Sequence, residues 1–164
     1  MTTTATDHLT TYLQDHRAGA EAGSDLARRM HEENKGTQYE EFLGHIAEEI
    51  EEDVVALEQI MDRFDVSRDG LKTAVAKVGE KLGRLKPNNA LTDYSPLSRV
   101  LEFEGLRAGV HGKLSLWDSL LEIAPFEDRL DAEEMAQLVT RAEAQLEGLR
   151  VHHRLAAREA FVAA

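Results

Sequence analysis

Tyr94-Ser95-Pro96-Leu97-Ser98-Arg99 opens a long apolar helix that runs to about Ala124, and the rest of the chain reads as packing against it. Ser95 offers a side-chain oxygen to the unpaired N–H groups of a first turn, and Pro96 falls at the first helical position, where a missing N–H costs nothing. Val100, Phe103, Leu106, Val110, Leu114, Trp117, Leu121 and Ala124 then recur at steps of three and four, the period of one helix face. A second strip, Leu101, Gly105, Ala108, Gly112, Leu116, Leu120 and Ile123, lies beside it. A helix apolar over so much of its circumference is expected to be buried on more than one side. Gly105, Ala108, Gly109 and Gly112 are expected to let a neighbouring backbone approach, since each internal glycine costs about 1 kcal/mol of helix propensity that packing must offset. Arg99 interrupts the first strip, and Glu102 and Lys113 fall between the two. A charge on an apolar arc must snorkel, pair or serve a site.

Working outward, the periodicity predicts a first helix over about 7–34, capped by Thr6 or Asp7, and a second over about 38–64. Gly36 stops the first, and Thr37 with Glu40 forms a capping box for the second. So short a break makes the two an antiparallel hairpin. The segment from Asp65 to Asp93 is a long connection containing a shorter helix over about 67–85, with the narrow stripe Leu71, Val75, Val78, Leu82 and Leu85 among lysines. After the central helix, 95–124, Pro125 breaks the chain. Asp131 and Glu134 then form a capping box for a last helix over about 132–161. The expectation is one all-α domain spanning 1–164: an antiparallel four-helix bundle with an extra short helix in the long crossover between helices 2 and 3.

Composition narrows the function classes. There are 164 residues, no cysteine, three prolines and a formal net charge of −12. Cysteine chemistry of every kind is excluded. The acidic balance argues against a nucleic-acid partner, which calls for a basic footprint. No apolar run approaches the roughly 18 residues of a membrane span, and no apolar leader segment follows Met1, so a cytoplasmic protein without membrane contact is expected.

Two long helices, a long crossover and two more long helices resemble the ferritin-like superfamily across essentially the whole length. The run Tyr94-Ser-Pro-Leu-Ser-Arg-Val-Leu-Glu102 is similar to one found in uncharacterised bacterial proteins of this broad type. The resemblance implies a di-iron or di-manganese carboxylate centre built from a Glu on each of two helices and Glu-x-x-His on each of the others. That set is absent here. Glu41-x-x-x-His45 and His45-x-x-Glu48 lie largely off the apolar face, and Glu147-x-x-x-x-His152 has the wrong spacing.

The inward polar residues are His16, Glu49, Asp53, Arg99, Glu102, Lys113, Gln145 and either His152 or His153. At about 1.5 Å rise per residue, a crossover that makes helices 2 and 3 parallel brings Lys113 level with Asp53, His16 and Gln145. The expected arrangement has the Lys113 ammonium neutralising Asp53, with His16 as a hydrogen-bond partner. Arg99 and Glu102 would pair in a second polar layer. The leading functional expectation is a non-enzymatic bundle with an ionic rather than metallic core and no cofactor, self-associating as a dimer or larger. Its alternative is a divergent di-iron or di-manganese protein, oxidase- or storage-like, using His16, Asp53, Glu102 and His153. A third reading is an adaptor presenting Lys72, Lys77 and Lys81 of the crossover to an acidic protein partner.

Overall fold

The computed structural model describes residues 4–67 and 94–162. These form α1 (Ala5–Glu33), α2 (Glu40–Arg63), α3 (Pro96–Ile123) and α4 (Ala132–Phe161), with a short 3-10 turn, Ala124–Phe126, after α3. The described part is an all-helical bundle. The crossover helix expected over about 67–85, with Lys72, Lys77 and Lys81, lies outside the described residues from position 68 on. No helix among the described residues is long and apolar enough to cross a membrane.

The helix starts show how local chemistry sets the elements. Ser95 accepts from the Ser98 N–H at the head of α3, as its sequence predicts. At α1 the cap is Thr4 rather than Thr6 or Asp7. Asp7 sits three residues on and its carboxylate accepts from the Thr4 N–H at 2.9 Å, closing a capping box two to three residues earlier than expected. Gly36 takes a left-handed φ of 76°, which ends the first helix. Thr37 does not cap α2. Its hydroxyl donates to the Asn34 carbonyl, and the Glu40 carboxylate accepts from the Gly36 N–H at 2.7 Å. Asp131 caps α4 by accepting from the N–H groups of Glu133 and Glu134. The Glu134 carboxylate does not fold back to complete a box, because both its oxygens receive the Arg63 guanidinium, at 2.7 and 2.9 Å.

Pairings between helices fix their directions. Arg29 on α1 meets Glu102 on α3, while Tyr12 lies 3.2 Å from the Ser119 hydroxyl, so α1 and α3 run in opposite senses. Gln38 meets Glu159, and Arg63 meets Glu134, so α2 opposes α4. Tyr39 packs against Phe103 and Asp53 against Lys113, so α2 and α3 run in the same sense. The core is filled by fully buried Leu13, Met30, Leu43, Ile46, Ile60, Leu106, Leu116 and Leu149. At roughly 1.5–3 kcal/mol per buried side chain, such residues supply most of the drive to fold.

The small residues of α3 do not all act as expected. Gly105 comes within contact of Leu26, but a Cβ placed at Gly109 or Gly112 would meet nothing within 4 Å. Among the described residues, no neighbouring backbone closes on those two positions.

Candidate functional site

The centre of the bundle holds a polar layer built from three helices. Lys113 on α3 donates through Nζ to Asp53 Oδ2 on α2 and to Gln145 Oε1 on α4. Gln145 uses its own N–H group to donate to the same Asp53 oxygen at 3.1 Å and to Glu49 Oε2 at 3.2 Å. Arg141, one turn before Gln145, places Nη2 2.5 Å from Asp53 Oδ1. That contact is one of charge rather than an aligned hydrogen bond. Its Nη1 donates to Glu52 at 2.7 Å. The Asp53 side chain is 2% exposed and that of Lys113 14%. Burial pulls the Lys113 ammonium below its ordinary pKa, and the facing Asp53 charge opposes that pull. Asp53 therefore has two cations and an amide around two oxygens.

His16 does not bond to Asp53, contrary to expectation. Both Asp53 oxygens are already engaged from α3 and α4. The half-buried imidazole instead stands edge-on to Tyr12, ring centres 4.5 Å apart. Removal from water holds it below the usual histidine pKa, so it is neutral near pH 7.

The second polar layer is also divided differently. Arg99 and Glu102 do not pair. Arg99 donates to Asn34 Oδ1 at 2.7 Å and Glu159 at 2.9 Å, and it lies over the Tyr39 ring at 4.7 Å. Glu102 turns to Arg29 on α1. Three residues along a helix leave side chains about 60° apart, enough for the two to be claimed by different neighbours. His153 lies 3.2 Å from Glu104. His152 is the histidine that enters the core, stacked on Phe42 with ring centres 3.7 Å apart and bonded to the Gly148 carbonyl.

These placements separate the alternative metal set. Glu102 and His153 pair with Arg29 and Glu104, and Glu102 stands about 16 Å along α3 from Lys113. Among the described residues, no three histidine, aspartate or glutamate side chains converge to hold an ion. The donor chemistry at the centre does not fit a di-iron or di-manganese group either. Its one deeply buried carboxylate already faces a lysine and an arginine, and a further cation would be repelled.

Beside this layer, between α1, α2 and α3, lies a cleft of about 310 Å³. His16, Gly19 and Gly23 line it from α1, Leu57 from α2, and Gly109, Gly112, Lys113 and Trp117 from α3. Sequence reasoning missed Arg141, whose i, i+4 relation to Gln145 was the available signal. It also missed Asn34, fully buried and bonded to the Met30 carbonyl and the Tyr94 hydroxyl. Trp117, read as plain core, is 1% exposed, with an indole N–H that meets no acceptor among the described residues.

Fold and site together define an all-α helical bundle with a buried ion pair at its centre and an apolar cleft beside it. Comparison with protein-family models, curated proteins and solved structures finds no match to this chain.

Proposed function

We propose that the chain is a non-enzymatic helical bundle of the ferritin-like arrangement, acting as a structural or interaction protein in the cytoplasm, with an ionic core where metal-bearing bundles of that arrangement hold their ions. The observation that carries this reading is the Lys113 ammonium set between Asp53 and Gln145, with Arg141 on the far oxygen. Buried networks of this kind fix helix register more surely than they add stability. The parallel sense of α2 and α3, which a long crossover permits, supports the arrangement. Self-association belongs to the same reading, and Phe126, 87% exposed at the end of the bundle, is available to it. Metal per chain, measured by mass spectrometry after exhaustive desalting and again after anaerobic Fe(II) loading, is the test. The expected result is no stoichiometric metal in either sample. One or two ions per chain would overturn the reading.

A further inference from the structure

We infer that the cleft between α1, α2 and α3 is a binding site for a neutral, largely apolar small molecule carrying a hydrogen-bond acceptor. Protein interiors are close-packed, with few voids larger than a water molecule. A space of about 310 Å³ beside the central layer is at the lower end of the roughly 300–1,000 Å³ of small-molecule sites. Two facing helices keep it open. Gly19 and Gly23 on α1 and Gly109 and Gly112 on α3 line it, and a side chain begun at any of the four would meet nothing within 4 Å among the described residues.

The polar groups of the wall define what would enter. Trp117 lines the cleft with its ring, while its indole N–H is closed off from it: the residue is 1% exposed and that nitrogen is fully buried. His16, half-buried in the same wall with neither ring nitrogen bonded among the described residues, is the polar group a molecule in the cleft would meet, and its neutral imidazole has one N–H to donate to an acceptor. Charge selects a neutral molecule. The Lys113 ammonium is already committed to Asp53 and Gln145, so it is a poor holder of an anion, and exposed Asp15 at the rim repels one. Water is a poor filler, since each molecule needs two to four polar partners and most of this wall offers none.

The test uses the full chain and 6-propionyl-2-(dimethylamino)naphthalene, a neutral fluorophore with a ketone acceptor. Trp117 is the only tryptophan, so quenching of its emission reports on this cleft. The expected result is saturable one-to-one binding with blue-shifted probe emission and quenched Trp117. Gly109→Leu and Gly19→Leu, each filling the cleft from one wall, should weaken binding at least tenfold while circular dichroism stays helical. An analogue lacking the ketone should bind more weakly. Absence of saturable binding overturns the proposal, as does binding that both leucine substitutions leave intact. Binding that emerges only when Leu71, Val75 and Val78 are replaced by serine also overturns it, because the chain's own segment would then be the occupant.

Discussion

Asp53 is the residue on which the central layer turns, because it is the buried anion that Lys113 and Arg141 share. Replacing it leaves the buried Lys113 ammonium with Gln145 alone and takes one of the two carboxylates from Arg141, whereas replacing Lys113 leaves Asp53 with Arg141 and Gln145. Asp53→Ala is therefore expected to cost about 3–5 kcal/mol and Lys113→Met about 1–3 kcal/mol, with the two resolved by urea denaturation. Equal losses would mean that Arg141 contributes nothing. His16 gives a pH signature. The unfolded chain protonates this imidazole near pH 6.5, the folded chain only at lower pH, because burial disfavours the charged form. Below about 6.5 the unfolded state binds more protons, so stability falls as pH drops and levels off once the folded histidine also charges. His16→Gln is expected to remove that part of the slope when melting temperatures are compared from pH 5 to 8. A profile unchanged from wild type would count against the burial argument. The polar members of this layer were readable in the sequence because a charge on an apolar face is conspicuous. So was the pairing of Lys113 with Asp53, from the level at which their helices place them. The partners of Arg99, Glu102 and His16 were not, since Asn34 with Glu159 takes the first, Arg29 on α1 the second, and Tyr12, one turn back on the same helix, the third.

Helix starts and stops are written mainly in adjacent residues, and there the sequence was informative: Ser95 with Pro96, Gly36 and Asp131 all act where their chemistry places them. Thr4 was passed over because several threonines compete for that role and Asp7 can serve as cap or as the third residue of a box. Glu134 was misread because a tertiary partner, Arg63, outcompetes the local bond. Glycines on α3 and α4 look alike in sequence and differ in space. At Gly148 a Cβ would stand 2.7 Å from the Phe42 ring, itself stacked on His152. Gly148→Ala is expected to lose about 1 kcal/mol net, overpacking outweighing the gain in helix propensity. Gly109→Ala, whose Cβ meets nothing within 4 Å among the described residues, should gain about 0.5–1 kcal/mol. Urea midpoints that move in the same direction for both would contradict this account of the two sites.

At the scale of the molecule, the parallel sense of α2 and α3 puts Ser67 and Tyr94 at opposite ends of the bundle. Ser67 accepts from Gln14 near the start of α1, and Tyr94 bonds Asn34 just beyond its end. The two points are roughly 30–40 Å apart, by helix rise. Replacing 68–93 with a four-residue Gly/Ser linker, whose reach is under about 20 Å, cannot join them within one copy. Light scattering during size exclusion should then show a shift from the wild-type mass to exchanged dimers or larger species. An unchanged mass with native urea stability would refute the assigned helix directions. The same geometry orders the assembly of the chain in time. Each hairpin, α1 with α2 and α3 with α4, closes through a short connection, so the loop entropy it must overcome is small. Lys113 and Asp53 meet only when the two hairpins dock across the longest intervening stretch of chain. The ion pair is thus a latch set after the halves have formed. Weakening it should leave the speed of folding largely unchanged and hasten the opening of the finished bundle.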